Sequence, residues 1–225
     1  MYKVTRLLHL TDPRDQASTA AVIRDITAAA ESARHSLVAP TLPGARNGGD
    51  ILAHFHFESE EEWTRQRGPI DAATGGPAIR RVDCAEYVGG SRAGRRDAAN
   101  TPAVYRTLLL RVDDSAPRHE LRRFEHAVLQ MPEHLPGMRA WQLSPVLHAA
   151  GATSWTHVWE QEFTDLDALL GQYMDHPVHW ALVDRWFDPE CPEHIVKDRV
   201  CHSFCAVSGP VVTDATTLPV AVSYT

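Results

Sequence analysis

The order of apolar patterns is the same in the two halves of this 225-residue chain. Strand-like apolar runs and helical stripes follow one another in residues 1–90, and residues 104–207 show the same succession. A sheet with helices on one face leaves its other face uncovered, and a second unit of the same kind can cover it. The sequence therefore predicts an α+β fold in which two similar units face each other.

The first unit, residues 1–90, carries three clear strand patterns and two helical ones. The predicted strands are Tyr2–Leu10, Ile51–Phe57 and Ile79–Val88. One helix is predicted over residues 20–33, because its apolar side chains fall on one face. A second helix is predicted to start within residues 60–66, where three glutamates interact favourably with the positive end of the helix dipole.

The second unit, residues 104–207, shows the clearer patterns. It starts with a strand at Val104–Val112, and Asp114 or Ser115 is expected to cap the following helix, with Pro117 in its first turn. The residues expected on the buried face of that helix are Leu121, Phe124, Val128 and Met131. A further helix is predicted over residues 165–173, with Leu166, Leu169 and Leu170 inward, and a closing strand over residues 195–204. The runs Pro43-Gly44-Ala45-Arg46 and Pro136-Gly137-Met138-Arg139 look like equivalent junctions of the two units.

Composition separates the units from their flanks. Residues 91–103 are rich in Gly, Ala, Arg and Asn, which indicates a linker, and residues 208–225 form a tail. Strand-like character in the tail lies near residues 211–212 and 220–222. Arg92, Arg95 and Arg96 fall in the linker, and we interpret them as solvated rather than as a phosphate site.

Residues that exchange protons near neutral pH cluster in the second unit. The segment Trp155-Thr156-His157-Val158-Trp159 is followed by Tyr173 and by His176-Pro177-Val178-His179. Pro177 favours a first helical turn, which places His176 at the cap and His179 one turn inside the helix. A phenol and three imidazoles arranged in this way can act as acids and bases without a cofactor.

These motifs resemble those of a known family. Val104–Val112, Leu135-Pro-Gly-Met-Arg139 and the block from Trp155 to Asp198 are similar to the stress-responsive dimeric α/β-barrel (Dabb) domain. The resemblance implies two ferredoxin-like repeats, the first one degenerate, that form an intramolecular (pseudo-dimeric) α/β barrel. The family includes plant polyketide cyclases of the olivetolic acid type, a plant hydroxynitrile lyase and many members without an assigned activity.

The resemblance also implies roles for single residues. In the cyclases a tyrosine and a histidine of the Tyr–HPxH block form an acid–base pair, and a strand histidine lines the pocket. These roles fall on Tyr173, His179 and His157. Family enzymes often carry another histidine on the first strand, where this chain has Arg106 or Thr107. The first unit has no histidine pair at the corresponding place, so one working pocket is expected, in the second unit.

Three functional hypotheses follow, and the first is favoured. It is a cofactor-independent lyase or cyclase, of aldol or retro-aldol type, acting on a small hydrophobic or aromatic carbonyl compound. In it His179 removes a proton while Tyr173 and His157 stabilise the oxyanion. The alternatives are a non-catalytic small-molecule-binding or stress-response barrel and, less favoured, a metal- or haem-dependent protein, because other ferredoxin-like barrels hold haem through a histidine. The side chains expected to bind the molecule are His176, Trp155, Trp159, Phe124 and Arg106.

Other histidine and cysteine patterns have simpler interpretations. His54 and His56 share one face of a strand and, with His9 on a neighbouring strand, form either a three-histidine metal site or a set of polar surface or helix-facing residues. Cys201 and Cys205 would lie roughly 13 Å apart on an extended strand, too far for one zinc ion, so we expect buried thiols. We therefore predict neither a metal nor a cofactor.

The charge balance excludes several classes of partner. With 22 basic and 29 acidic residues the net charge is −7, and no basic block occurs, so neither nucleic acid nor an anionic membrane is an expected partner. No apolar run reaches the length of a transmembrane helix. Four cysteines, without the density of a secreted scaffold, favour a reducing cytoplasm. The expected partner is a small hydrophobic or aromatic molecule, and the sequence leaves a homodimer open.

Overall fold

The structure contains the predicted strands and helices and adds strands at His35–Pro40 and Ala93–Arg95 that the sequence did not predict. The computed structural model describes residues 1–90, 92–96, 101–213 and 216–217. The strands are β1 Tyr2–Leu10, β2 His35–Pro40, β3 Ile51–Phe57, β4 Ile79–Val88, β5 Ala93–Arg95, β6 Val104–Val112, β7 Met138–Ala150, β8 His157–Phe163, β9 Val196–Ala206 and β10 Thr216–Thr217. The helices are α1 Gln16–Ala29, α2 Glu60–Thr74, α3 Arg118–His134, a π-helical turn at Ala168–Tyr173, α4 Pro177–Leu182 and a 3₁₀ turn at Asp184–Trp186.

The main sheet is antiparallel and runs through both halves of the chain. Its order is β2-β3-β1-β4-β7-β8-β6-β9, so each half contributes four strands in the same relative order. Strands β4 and β7 join the halves. At the other end, the loop after β2 reaches β9, where Leu42 N donates to Phe204 O and Arg46 N to His202 O, each at 2.9 Å. The two ends of the sheet are thereby brought together around a buried interior, and the predicted α+β class is confirmed.

Alternation along the strands divides the buried side chains into an interior core and two outer cores. On β6, Leu108 and Leu110 pack towards the helices, whereas Tyr105 and Leu109 belong to the interior core. This is the period of two that strands impose on side-chain direction. The helices α1 and α2 cover the outer face of the first half, and α3 with the segment from Ala168 to Trp186 covers that of the second.

Several predicted details differ in the structure. Pro136-Gly137 joins α3 to β7, but Pro43-Gly44 lies between β2 and β3, so the two runs are not equivalent junctions. A Cβ added to Gly137 would lie 2.6 Å from the Cβ of Ala168, so close packing requires glycine there. The N-cap of α3 is Pro117, and no side chain caps the helix. Leu170, predicted to point inward, is 38% exposed.

The described part of the predicted linker includes a short strand, which its composition does not indicate. Residues Ala93–Arg95 form β5, which pairs with β7. Arg92 forms an ion pair with Glu125, and Arg95 donates to the carbonyl of Val212. These contacts fix the stretch against the second half, so its arginines are paired rather than simply solvated. The predicted strand character at residues 220–222 lies outside the described residues.

Buried groups and helix lengths agree with two further predictions. Cys201 and Cys205 are buried and form no disulfide, and burial raises the pKa of each thiol to about 12. Among the described residues, no helix is both long and apolar enough to cross a bilayer.

Candidate functional site

A cavity of about 170 Å³ lies between the outer face of the second-half sheet and the helical segment that follows β8. Most of its wall is apolar. Its polar side chains come from four places in the chain: Arg106 on β6, Tyr173 on the π-helical turn, His179 and Asp184 on and after α4, and His202 on β9. Trp159 of β8 forms part of the floor.

A break between two short helices positions Tyr173 and His179. His176 is the N-cap of α4, where its Nδ1 accepts from Val178 N at 3.2 Å, and Pro177 occupies the first turn. The prediction for these positions is confirmed. The break turns the chain so that the rings of Tyr173 and His179 meet edge to face, with centroids 4.8 Å apart. Both side chains are buried.

His179 is a neutral imidazole near neutral pH. Burial lowers its pKa, and the charge of Asp184 opposes this only in part. Its Nδ1 lies 3.3 Å from Asp184 Oδ1, but the two atoms are not aligned for a hydrogen bond. A neutral, buried imidazole beside a carboxylate at the cavity rim can accept a proton from a bound molecule.

Arg106 is a buried cation without a carboxylate partner among the described residues. Its guanidinium donates to Gln161, and its Cζ lies 5.1 Å from the centroid of the Tyr173 ring. Burial lowers its pKa, which the nearby Tyr173 opposes. A buried charge is costly unless it is paired, so an anion or a developing negative charge in the cavity would be stabilised by Arg106.

His202 also faces the cavity, although the sequence analysis did not select it. Burial, with the charges of Arg106 and Arg46, lowers its pKa to about 2, so it is neutral. It follows Cys201 in the sequence, within a segment whose two cysteines are its most conspicuous feature. Strand alternation places His202 on the face opposite Cys201, opposite Leu108 in the register, and this was the signal that could have found it.

Four buried polar atoms at the cavity lack a hydrogen-bond partner in the described part of the chain. They are Arg106 Nε, Trp159 Nε1, His179 Nδ1 and His202 Nδ1. Buried polar groups are nearly always paired, so a cluster of such atoms in an apolar wall favours a ligand with polar atoms of its own. A cavity of this size holds about one six-membered ring. A haem, whose macrocycle contains four pyrrole rings, therefore does not fit it.

The structure brings together only some of the predicted site residues. Tyr173, His179, Arg106 and Trp159 line the cavity. His157, by contrast, lies against α3, with its Nε2 3.5 Å from Glu125 Oε1 and its ring 5.9 Å from that of Phe124. The prediction that His157 converges on the same cavity is therefore wrong, because α3 covers the start of β8.

Three other predicted residues lie away from the cavity. Trp155 precedes β8 and packs in the interior core, since strand alternation does not extend to a residue before the strand. Phe124 packs against Trp186 within the outer core. His176 is partly exposed and serves as the helix cap.

The first-half histidines occupy two separate places. His54 and His56 lie together in the interior, whereas His9 contacts Asp83 at 2.9 Å. The three-histidine cluster considered from the sequence is therefore not formed.

One known family matches the second half of the chain. Residues 104–201 match the Dabb family, the stress-responsive A/B barrel domain. This match confirms the resemblance for that part of the sequence. Among curated proteins, no sequence matches this chain.

Solved structures of similar fold cover most of the chain. An anthrone oxidase-like protein matches with a TM-score of 0.67 and 13% identity, over 91% of this chain and 90% of that one. A Lactobacillus acidophilus protein provisionally named a monooxygenase has a TM-score of 0.52 and 11% identity, over 93% and 97%. A mutant chlorite dismutase from Candidatus Nitrospira defluvii has a TM-score of 0.51 and 11% identity, over 90% and 89%. At these identities the likeness establishes a common fold.

Proposed function

We propose that this protein is a cofactor-independent acid–base enzyme, a lyase or cyclase, that acts on a small hydrophobic or aromatic carbonyl compound. The observation that carries the proposal is the pairing of a neutral His179 with an unneutralised Arg106 across one small apolar cavity. One group accepts a proton and the other stabilises the negative charge that proton removal creates.

The proposed reaction starts at the carbon next to the carbonyl group. His179 takes the proton from that carbon, and the electron pair moves to the carbonyl oxygen to give an enolate. Arg106, with the Tyr173 hydroxyl, stabilises this oxygen. The enolate carbon then attacks a second carbonyl, and the resulting alkoxide takes a proton from the His179 imidazolium. The reverse sequence is a retro-aldol cleavage. Arg106 replaces His157 in the stabilising role inferred from the sequence.

The size of the cavity restricts the compound. About 170 Å³ corresponds to a molecule with one ring, and the largely apolar wall favours an aromatic or alkyl body. Anthrone, an aromatic ketone with three fused rings, is a useful comparison compound because an anthrone oxidase-like protein has a similar fold. We expect a one-ring ketone to bind here and anthrone to be excluded.

We also propose that the two halves are diverged copies fused in one chain, forming a pseudo-dimeric barrel. The identical relative strand order of the halves supports this. The proposed units are residues 1–90 and 104–207, joined by residues 91–103 and followed by a tail from residue 208. Within such a barrel the first copy closes the interior, and the second holds the reactive cavity.

Deuterium exchange tests the proposed chemistry without knowledge of the natural substrate. Phenylacetone, a one-ring ketone with acidic C–H bonds, is incubated in D₂O with the protein, and exchange is followed by NMR. We expect catalysed exchange by the wild type and by the control His119→Ala, whose imidazole is 66% exposed, and its loss in His179→Ala. Saturable binding without exchange across a panel of one-ring ketones would instead support the non-catalytic binding protein.

A further inference from the structure

The interior of the sheet holds a second cluster of reactive side chains, remote from the cavity. His54 and His56 of β3 are fully buried, as is Glu160 of β8. The Nε2 atoms of the two histidines are 2.8 Å apart, and His54 Nε2 lies 3.4 Å from Glu160 Oε1. Candidate ligand atoms of all three residues lie within 4.8 Å of one another.

These separations are those of donor atoms around one ion. Ligands at about 2.0–2.1 Å from zinc lie about 2.9 Å apart at a right angle and about 3.4 Å apart at the tetrahedral angle. Two imidazoles and a carboxylate also form a familiar donor set for divalent transition metals. We propose that His54, His56 and Glu160 bind a divalent transition-metal ion, with zinc as the best match. The sequence alone predicted no metal, because the three ligands come from strands that are distant in the chain.

Two of the three ligands, His54 and Glu160, have the outer contacts that metal ligands usually have. Thr5 Oγ1 lies 2.9 Å from His54 Nδ1, so a proton on Nδ1 leaves the lone pair of Nε2 for the ion. Tyr105 donates to Glu160 at 2.9 Å.

Lys3 competes with the proposed ion for the carboxylate of Glu160. Its ammonium group is fully buried and lies 3.2 Å from Glu160 Oε2, where it neutralises the carboxylate. A dication beside this ammonium group is repelled, so metal binding requires displacement of the Lys3 side chain. Removal of the Lys3 charge is therefore expected to strengthen metal binding.

A further cavity lies beside the cluster, at the seam between the sheet ends. It has a volume of about 540 Å³ and is lined by residues 35–37 of β2 and by residues 206–211, which start at the end of β9. His35 lines this cavity and packs against His56, with ring centroids 4.9 Å apart. Its Nε2 is buried and has no hydrogen-bond partner within the described residues, so it offers a further nitrogen beside the cluster.

The ion would connect the two halves of the molecule, since β3 belongs to the first and β8 to the second. The test uses Co²⁺ as a spectroscopic probe and Zn²⁺ in thermal melts of the full chain after chelator treatment. We expect one equivalent of Co²⁺ with visible absorption typical of nitrogen and oxygen ligands, and a rise in Tm with Zn²⁺. His56→Gln and Glu160→Gln should each weaken binding at least tenfold, whereas the exposed control His119→Gln should not.

Lys3→Met provides the sharper variant. Without metal it should melt below the wild type, because Glu160 loses its counter-charge, and Zn²⁺ should restore its Tm. Lys3→Met should also bind Co²⁺ at least tenfold more tightly than the wild type. Absence of a Co²⁺ spectrum in the folded wild type and in Lys3→Met, or unchanged binding in His56→Gln, would overturn the proposal. The His54–His56 contact would then be an ordinary N–H···N hydrogen bond.

Discussion

The outer layers of the two halves each contain a buried arginine, and the two arginines differ in whether a described carboxylate pairs with them. In the first half, Arg6 forms an ion pair with Asp71, and Arg67 also donates to Asp71 at 2.8 Å. Burial raises the pKa of Asp71, but hydrogen bonds from Arg67 and Arg6 outweigh this and hold it below its usual value. In the second half, Arg106 lies over Tyr173 without such a carboxylate among the described residues.

This difference separates a charge paired with a carboxylate from one that has no such partner among the described residues. The first-half layer contains its own counter-ion, and its cleft of about 440 Å³ is lined by charges of both signs. The second-half layer leaves its cation, two neutral imidazoles and an indole N–H around an apolar cavity. The two halves have the same strand order but differ in their outer layers, because Asp71 pairs with Arg6 and no carboxylate among the described residues pairs with Arg106.

The largest expected effect is that of replacing His179, whose imidazole has no counterpart in α2 of the first half. His179→Ala should lower the rate of exchange of phenylacetone by roughly two to four orders of magnitude, the usual contribution of a general base. The rate of the wild type should rise with pH through a value below 6.5, because burial lowers the pKa of His179 and the neutral form is required. Rates are measured by NMR between pH 5 and 8. A variant as active as the wild type would remove the functional distinction between the two layers.

The next effect is on stability and belongs to His202. Its folded pKa of about 2 lies below the unfolded value of about 6.5, so the unfolded chain binds more protons at acid pH. The contribution of His202 to the free energy of unfolding is therefore fully present above pH 6.5. It is lost as the pH falls, by up to about 1.4 kcal/mol per pH unit. Urea unfolding of His202→Gln should show a flatter dependence between pH 6.5 and 4.5. Parallel curves for the variant and the wild type would contradict the burial of a neutral imidazole.

A matched pair of arginine variants tests the comparison most directly. Arg106→Met should weaken the binding of benzoate, a one-ring anion, by roughly 10- to 100-fold, as expected for a hydrogen bond to a charged group. Arg6→Met should leave benzoate affinity unchanged and lower Tm, because Asp71 then loses a partner. Calorimetric titration and thermal melts give both quantities. Equal losses of affinity in the two variants would show that the layers do not differ as described.

The smallest effect is expected from the tyrosine hydroxyl. Tyr173→Phe keeps the ring that packs against His179 and Phe163 and removes only one hydrogen-bonding group. The exchange rate should fall by about tenfold or less, in line with roughly 1 kcal/mol for a single hydrogen bond. A loss as large as that of His179→Ala would move the main proton transfer to Tyr173.

Local patterns explain why much of the fold could be predicted. The strands at Tyr2–Leu10, Ile51–Phe57, Ile79–Val88 and Val104–Val112 have the predicted limits, because each is a short run rich in apolar residues, a pattern that is read along the chain. The placement of His176 and His179 also depended on a local cause, the fixed φ of Pro177. Strand β2 had no such signal, and its position before Pro43 made the two Pro-Gly junctions unequal.

Contacts between distant elements explain the failures in the site. Whether His157 reaches the cavity depends on where Phe124 and Glu125 of α3 lie, and no pattern along β8 contains that information. His202 and Asp184 enter the site because β9 and the end of α4 approach the same point in space. The opposite treatment of Arg6 and Arg106 likewise depends on Asp71, which lies 65 residues from Arg6 in the chain.

The hydrogen bonds that join the loop after β2 to β9 determine when the molecule can finish folding. They connect residues separated by about 150 positions, as in the bond from Asn47 Nδ2 to Val200 O. Contacts of such long range form slowly, because a large loop must close before they stabilise the chain. Each half can acquire its local structure early, and closure of the seam is then the late event.

The cavity is completed by the same event, since His202 exchanges two backbone hydrogen bonds with Arg46 across the seam. A ligand of the cavity therefore recognises the closed chain and not its precursors. Such a ligand slows unfolding and leaves the rate of folding nearly unchanged. Ligand binding during refolding would thus report the final kinetic phase, separately from the earlier formation of the sheet.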